Sequence, residues 1–163
     1  FLGVLPQREL FVATANALLK TGDKERALKV LDKCQESMPD HVWPLESIPL
    51  GFYTNDYMVV NMVSDYFAAG APDKAADLGA RLGKELLTTA NFYMQFYEYA
   101  ADDFERACQF LYYLIDELEK GGEKTVSHDL KLSLVAMMRS SIPDEEVAGY
   151  APADSSENTE IQK

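Results

Sequence analysis

The sequence predicts an all-α protein built as an array of helix pairs, and three observations support this fold class. Apolar residues recur every three or four positions along most of the 163 residues, which is the spacing of one face of an α-helix. Glycine or proline ends most of these periodic segments, and TGDKERA (21–27) aligns with AGAPDKA (69–75) at an offset of 48 residues. We expect about three antiparallel helix pairs and a final helix, arranged as a right-handed α-α superhelix.

The first helix pair is predicted at the start of the chain. One face of the segment 7–20 is apolar and consists of Leu10, Phe11, Ala15, Leu18 and Leu19. Gly22 ends this helix, and Asp23 can cap the first N–H groups of a second helix. The second helix is expected over 24–37, because Pro39 stops it. The turn between the two is only a few residues long, so the helices must be antiparallel.

The second helix pair is predicted to begin at Thr54 or Asn55. The inward-facing residues of its first helix are expected to be Met58, Val59, Met62, Val63, Tyr66 and Phe67. Gly70 ends this helix, and Pro72 suits the first position of the next helix, which is predicted over 73–87.

A third pair and a final helix complete the predicted array. The first helix of the third pair is expected over about 89–99, where it can continue from the preceding helix without a clean break. The second is expected over 102–120, and Gly121-Gly122 ends it. The final helix, over about 127–140, is predicted to turn Leu130, Leu134, Val135 and Met138 inward.

Two segments lack helical periodicity, and they divide the chain. The segment 40–53 contains two prolines and many apolar residues, so we expect an irregular loop packed on the helices. The segment 143–163 is rich in Ala, Pro, Ser, Asp and Glu and is predicted to be a flexible acidic tail. The helical-repeat domain is therefore assigned to 1–142, with the loop as an insertion.

Charge and hydropathy exclude several classes of partner. The formal net charge is −12, and an acidic surface repels phosphate backbones and anionic lipid head groups. No run of about 18 apolar residues occurs, so this part of the chain is not expected to insert into a membrane. The chain begins with Phe1 rather than Met, which suggests a piece of a longer polypeptide.

The sequence contains no recognisable catalytic, metal or cofactor motif. His41 and His128 belong to no ligand pair, and they are interpreted as surface or capping residues. Cys34 and Cys108 lie on apolar helix faces, which favours buried thiols over a disulfide or a reactive residue. The many carboxylates are interpreted as solvated helix faces. We therefore expect no catalytic residue, no metal and no cofactor, and no small-molecule ligand.

An aromatic cluster is the most suggestive feature for binding. It comprises Phe92, Tyr93, Phe96, Tyr97, Tyr99 and Phe104. Such side chains can stack on a sugar or a peptide, but they can equally fill the seam between helix pairs. Core packing is the favoured interpretation, with Tyr97 and Tyr99 expected to keep exposed hydroxyl groups.

The first helix pair resembles a tetratricopeptide repeat, a helix hairpin of about 34 residues. The positions that match its pattern of large, small and turn residues are Phe11, Ala15, Leu18, Gly22, Ala27, Leu31 and Pro39. The second pair departs from the pattern, because Gly79 replaces a large residue and Leu87 replaces the proline. The resemblance implies a tetratricopeptide-like array that is short and irregular.

The resemblance also implies a concave groove lined by the first helix of each pair, where such proteins hold a peptide or a partner helix. The matching positions in this chain are Glu9, Val12, Asn16, Leu19, Tyr57, Val60, Ser64 and Phe67. Asn16 resembles the asparagine that holds a peptide backbone in some members. Val12 replaces the basic residue of carboxylate-binding members, which argues against recognition of an acidic C-terminal tail.

A more specific resemblance covers roughly residues 7–140. A helix, GDKERALKVLDKCQESMPD, a proline-containing loop, a helix and YFAAGAPDKAADLGARL occur in that order, followed by the aromatic cluster. This arrangement is similar to the soluble C-terminal region of a bacterial family of many-spanning membrane proteins. The family was long called a domain of unknown function and is related to protein O-mannosyltransferase-like glycosyltransferases. The resemblance implies a periplasmic location at the inner membrane; without it, a soluble cytoplasmic protein is expected.

Three functions fit these features. The leading hypothesis is a non-catalytic module that binds a protein or peptide. The alternative is an accessory domain that binds a glycan or an acceptor for a membrane glycosyltransferase. A third hypothesis is a platform for self-association.

Overall fold

The computed structural model describes residues 4–46 and 55–141, and it confirms the all-α prediction there. Helices account for 85% of the described residues, which contain no strand. The helices are α1 (Val4–Lys20), α2 (Lys24–Ser37), α3 (Asn55–Ala69), α4 (Pro72–Met94), α5 (Tyr97–Lys120) and α6 (Lys124–Ser141). No helix in the two described ranges is long and apolar enough to cross a membrane.

Three glycine turns join these helices into hairpins. Gly22, Gly70 and Gly122 have φ angles of 81°, 86° and 88°, a region that suits glycine because it has no Cβ. The same backbone bond closes each turn, from the N–H after the glycine to a carbonyl five residues earlier. These bonds are Asp23 to Leu18 (2.9 Å), Ala71 to Tyr66 (2.9 Å) and Glu123 to Leu118 (2.8 Å). The hairpins are therefore α1–α2, α3–α4 and α5–α6.

The helix boundary predicted near Leu87 is wrong, and the expectation that the segment 89–99 can continue from the preceding helix is confirmed as far as Met94. Helix α4 continues to Met94, and α5 begins at Tyr97 with an irregular residue, Ala100 (φ −133°, ψ 29°), inside it. No glycine or proline occurs between residues 84 and 120, so nothing in the chain stops α4 at Leu87. The third hairpin is consequently α5–α6, and the described part of the chain contains no additional final helix.

Contacts between the hairpins follow a regular order. The first helices contact one another, α1 with α3 and α3 with α5, and α4 contacts α6. The second helix of each hairpin also contacts the first helix of the next, α2 with α3 and α4 with α5. One continuous core of buried apolar side chains runs through all three hairpins.

Two glycines on α4 explain why the second pair departs from the repeat pattern. A Cβ at Gly79 would lie 2.8 Å from Leu118 Cδ2, and a Cβ at Gly83 would lie 2.5 Å from Leu130 Cδ2. The leucines of α5 and α6 thus occupy the space that larger side chains on α4 would need. A larger side chain at position 79 would require the Leu118 side chain to move.

The buried face of α6 differs from the predicted one. Leu130, Leu134 and Met137 are buried, whereas Val135 and Met138 are exposed. The buried residues and the exposed ones both follow helical spacings of three or four residues. Periodicity alone therefore does not show which face of α6 is buried. The contacts of α6 with α4 and α5 select the face that carries Met137.

The described part of the predicted insertion, 40–46, is irregular and lies against the helices. Leu45 is buried and Trp43 packs on the core, while Val42 is exposed. Residues 47–53 of the insertion and the predicted acidic tail, 143–163, lie outside the described residues.

Substitution of Ala107 by leucine is expected to lower the free energy of unfolding by about 1–3 kcal/mol, because this site has no room for a larger side chain. Ala107 and Ala27 are both completely buried. Urea unfolding measures the change, and Ala17→Leu on the exposed side of α1 is the control. Equal stability of the Ala107 and Ala17 variants would contradict the close packing of α5.

Candidate functional site

The predicted groove residues do not all lie at the surface. Glu9 and Tyr57 are exposed, and Ser64 is partly buried. Val12 is only 7% exposed, so its prediction as a groove-facing residue is wrong. The neighbouring candidate Val60 is buried as well. The direct packing of α1 on α3 buries these valines.

The side chain of Asn16 forms hydrogen bonds within the protein instead of facing a peptide backbone in a groove. Its side-chain amide donates to Asp65 Oδ2 on α3 (2.9 Å) and to the Val12 carbonyl (3.1 Å). Desolvation raises the pKa of Asp65 to about 6. The pair links α1 to α3, which is a structural role that the repeat pattern did not predict.

Phe67 is also used for packing. Its ring lies against Gly121 in the turn of the third hairpin, where a Cβ would come within 2.4 Å of ring carbons. Leu19, like Phe67, is partly buried. Glu9, Tyr57 and Ser64 are therefore the predicted groove positions that keep exposed or partly exposed side chains without a described packing role.

Most of the predicted aromatic cluster is exposed, so its interpretation as core packing is wrong. Phe92, Phe96 and Tyr97 are each about half exposed, and Tyr99 is 89% exposed. The exposure of Tyr97 and Tyr99 agrees with the prediction for these two residues. Because α4 continues to Met94 and the chain bends at Ala100, the cluster lies at the end of the hairpin layers rather than between them.

The exposed rings continue into an apolar cleft on the third hairpin. Tyr97 packs edge-on against Phe104, with ring centroids 5.6 Å apart. Phe104 lines a cleft of about 310 Å³ together with Tyr112, Tyr113 and Met138. We call these five residues the aromatic surface. Large apolar patches that face solvent are typical of interaction sites.

Exposed large apolar residues are concentrated in this half of the molecule. Nine of the twelve among the described residues lie between the end of α4 and α6: Phe92, Phe96, Tyr97, Tyr99, Tyr112, Tyr113, Leu132, Val135 and Met138. The other three, Leu10, Val42 and Tyr57, lie in the first half of the chain. The third hairpin is thus the part with the most apolar surface left uncovered.

A group of hydrogen bonds attaches the loop 38–46 to α4. The Glu85 carboxylate on α4 accepts the N–H groups of Leu45 (2.9 Å) and Glu46 (3.0 Å), and the Thr89 hydroxyl donates to the Glu46 carboxyl. Beside them, Arg81 donates to Asp40 (2.6 Å). These groups border an open cleft of about 520 Å³.

Arg8 holds the other side of the same loop. Its guanidinium is buried and donates to Asn55 Oδ1 (2.6 Å) and, at 3.4 Å each, to the carbonyls of Met38 and Pro44. The Asn55 amide in turn donates to the carbonyls of Pro44 (2.7 Å) and Leu45 (2.9 Å). The loop is therefore held through its backbone by side chains of α1, α3 and α4.

A buried ion pair connects α3 to α5. Asp56 is completely buried, and Arg106 Nη1 donates to its Oδ2 at 2.9 Å. Within the described residues, the Nε and Nη2 groups of Arg106 are buried and have no hydrogen-bond partner. Sequence reasoning missed this pair, although one signal was available: Asp56 falls on the same helical stripe as Val59, Val60 and Val63.

The described side chains provide no evident reactive group. Burial raises the pKa of Cys34 to about 11, and burial also raises the pKa of Cys108, so both thiols are protonated at neutral pH. His41 and His128 are exposed. Over 4–46 and 55–141, no group of three or more His, Cys, Asp and Glu side chains could hold a metal ion. The exposed groups that could bind another molecule are therefore apolar and aromatic side chains.

Comparison with known proteins gives no relative. The chain matches no family model, and neither the curated proteins nor the solved structures give a significant match. The resemblances to tetratricopeptide repeats and to the membrane-protein family therefore stay predictions.

Proposed function

We propose that this chain is a non-catalytic helical-repeat module that binds another polypeptide. In this proposal the three hairpins form a tetratricopeptide-like array with a right-handed superhelical twist. The recurrence of the glycine turn and the contacts of α1 with α3, α3 with α5 and α4 with α6 support the repeat arrangement. In such arrays each hairpin contacts its neighbours, and the layers between them offer extended binding surfaces.

The aromatic surface is the observation that carries the proposal. Tyrosine and phenylalanine provide a large contact area at a small entropic cost, and interfaces are enriched in them. The partner that fits is a segment with apolar side chains, such as one face of an amphipathic helix. Because the chain has a net charge of −12, basic residues at the edge of that segment would favour association.

We further propose that the module is the extracytoplasmic C-terminal domain of a larger, membrane-embedded chain with glycosyltransferase activity. The resemblance described in the sequence analysis is the support for this proposal. The partner is then a substrate protein, a neighbouring subunit or the membrane part of the same chain. The amino-acid sequence encoded before Phe1 tests this, because several apolar spans of about 20 residues are required there.

Two tyrosines allow a matched test of the binding surface. Tyr112 lies on the aromatic surface and is 56% exposed, whereas Tyr57 is a predicted groove residue and is 58% exposed. Each position receives a photo-crosslinking amino acid in the protein within its native cells, and the cross-linked partners are compared. We expect a specific cross-linked polypeptide from position 112 and none from position 57.

Affinity measurements with that polypeptide complete the test. Loss of a central aromatic contact weakens binding by at least about tenfold, so Tyr112→Ser should do this and Tyr57→Ser should not. Cross-links from position 57 alone would favour the predicted groove and contradict the proposal. Cross-links from neither position would contradict both surfaces.

A second candidate function is supported by the exposed rings at the α4–α5 junction. Phe92, Phe96 and Tyr99 can stack on sugar rings, as an accessory domain for a glycan or a glycosylated acceptor would require. Titration with oligosaccharides up to millimolar concentration, followed by tyrosine fluorescence, tests this function. An unchanged signal would contradict it and would leave the polypeptide-binding proposal unaffected.

A further inference from the structure

Equivalent positions of the three hairpins are identified by counting from the turn glycines Gly22, Gly70 and Gly122. The position 14 residues before the glycine is Arg8 in the first hairpin and Asp56 in the second. Both side chains are buried, and both bond to the first helix of the next hairpin. This position therefore faces the next hairpin in the first two hairpins.

Two more positions contact the next hairpin. Asp32, ten residues after its turn glycine, pairs with Lys74 of the second hairpin (2.7 Å). A Cβ at Gly83, 13 residues after its turn glycine, would meet the Leu130 side chain of the third hairpin. These two positions lie on the second helix of a hairpin, so both helices of a hairpin contribute to the face that the next hairpin covers.

The third hairpin has apolar residues at these three positions, and within 4–46 and 55–141 no further hairpin follows it. The residues are Cys108, Leu132 and Val135. Leu132 and Val135 are exposed, and Cys108 is partly buried. Positions that contact a neighbour in the first or second hairpin thus face solvent in the third.

Burial at two further positions follows the same rule. Ten residues before the glycine, Val12 and Val60 are buried, whereas Tyr112 is exposed. Sixteen residues after it, the first two hairpins have a buried residue and the third an exposed one; these are Met38, Leu86 and Met138. We call the five uncovered positions of the third hairpin the outer face: Cys108, Tyr112, Leu132, Val135 and Met138.

The two helices of the outer face differ in shape and in charge. α5 contributes an aromatic ring and contains seven acidic and two basic residues, whereas α6 contributes aliphatic side chains and contains one acidic and three basic residues. Glu105 on α5 and Arg139 on α6 both lie 17 residues from Gly122. Both are exposed, and neither forms an ion pair with any residue that the structure describes.

We propose that the outer face binds the outer face of a second copy of this chain, with α5 of each copy packed on α6 of the other. This inference rests on the proposed function, because it names the polypeptide that the aromatic surface binds. The amphipathic helix with basic residues that suits this surface is then α6 of the second copy. A two-fold axis between the copies makes the contact self-complementary and closes the assembly at a dimer.

The direction of the two-fold axis follows from the charges. An axis parallel to the hairpin places α5 on α6, and residues at the same distance from the turn then face each other. Glu105 of one copy lies opposite Arg139 of the other, and this contact occurs twice in the dimer. An axis across the hairpin would place the acidic α5 on a second α5, which like-charge repulsion disfavours.

Sedimentation equilibrium of the 163-residue protein measures the association. We expect a monomer–dimer equilibrium, with a mass that approaches twice 18.3 kDa as the chain concentration rises from about 1 to 100 μM. Tyr112→Ser should weaken the dimer by at least about tenfold, because it removes an aromatic contact from the interface. Tyr57→Ser is the control, since Tyr57 is equally exposed but lies on α3.

Charge reversal tests the packing of α5 on α6. Glu105→Arg and Arg139→Glu each create two like-charge contacts in the dimer, so each should weaken it by at least about tenfold. An equimolar mixture of the two variants has opposite charges at both contacts and should dimerise as the wild type does. Glu9→Arg makes the same change of net charge on the exposed side of α1 and should not weaken the dimer.

Three outcomes would overturn this inference. The first is a monomer at every concentration; if position 112 then cross-links to a different polypeptide, the proposed function stands and only the second copy is excluded. The second is a mass that grows beyond a dimer, because an outer face that binds another part of the next copy does not close. The third is a mixture of the charge-reversal variants that stays monomeric, because α5 would then not lie on α6.

Discussion

Substitution of Asp56 by alanine is expected to destabilise the protein by about 3 kcal/mol, because it leaves the largely buried charge of Arg106 with only the longer ion pair to Asp103 (3.9 Å). The side chains of Asp56 and Arg106 are 0% and 17% exposed, so solvent can compensate the guanidinium only slightly. Urea unfolding followed by circular dichroism measures the effect. With a change of this size, a marginally stable domain will be partly unfolded at room temperature.

The double variant Asp56→Ala, Arg106→Met is the informative control. Removal of both charges eliminates the poorly paired guanidinium, so the double variant should be more stable than Asp56→Ala alone. Exchange of a buried ion pair for apolar side chains is often neutral or stabilising. If the double variant lost as much free energy of unfolding as the two single variants together, the ion pair would not be the source of the loss.

Substitution of Arg8 by alanine is expected to cost about 3 kcal/mol, because two buried acceptors, Asn55 Oδ1 and the Met38 carbonyl, lose this donor. Arg8 is only 2% exposed, although burial lowers its pKa and so opposes its charge. The loss should appear in urea unfolding and in stronger quenching of Trp43, because Arg8 holds the loop that contains it.

Arg26→Ala is the matched control for this prediction. Arg26 is 70% exposed and pairs with Asp23 within one turn of α2. Pairs of this kind contribute about 0–1 kcal/mol, so the Arg26 variant should be nearly as stable as the wild type. If the Arg8 variant were as stable as the Arg26 variant, this would contradict the role of Arg8 in holding the loop.

Periodicity predicted the helices well wherever a local stop signal exists. Gly22, Gly70 and Gly122 end helices as expected, since the left-handed backbone conformation favours glycine whatever the tertiary structure. The boundary near Leu87 was wrong, because no residue there disfavours a helix. Local sequence therefore predicted hairpin turns better than it predicted the length of α4.

The faces that the helices bury were less predictable. The outer face of α6 and the aromatic cluster carry apolar residues that the pattern assigned to the core. Whether such a residue is buried depends on which helix lies next to it, and that is a property of the assembled hairpins. The same reason explains Val12, which a repeat alignment assigns to a groove but which α3 covers.

Buried polar side chains were missed almost entirely. Arg8, Asn55 and Asp56 lie at or near helix starts, where polar residues are common at the surface. The partners of Arg8 and Asp56 lie between 30 and 50 residues away in the chain, and Asn55 also bonds to loop carbonyls 10 and 11 residues before it. No spacing rule within one helix reveals such long-range pairs.

The bend at Ala100 affects how the exposed tyrosines are presented. At this residue the backbone leaves helical values, so the short turn with Tyr97 and Tyr99 does not continue the axis of the helix behind it. Tyr97 still packs on Phe104 beyond the bend, whereas Tyr99 is 89% exposed. A molecule that approaches this end of α5 therefore meets one ring braced by the third hairpin and one ring that projects into solvent.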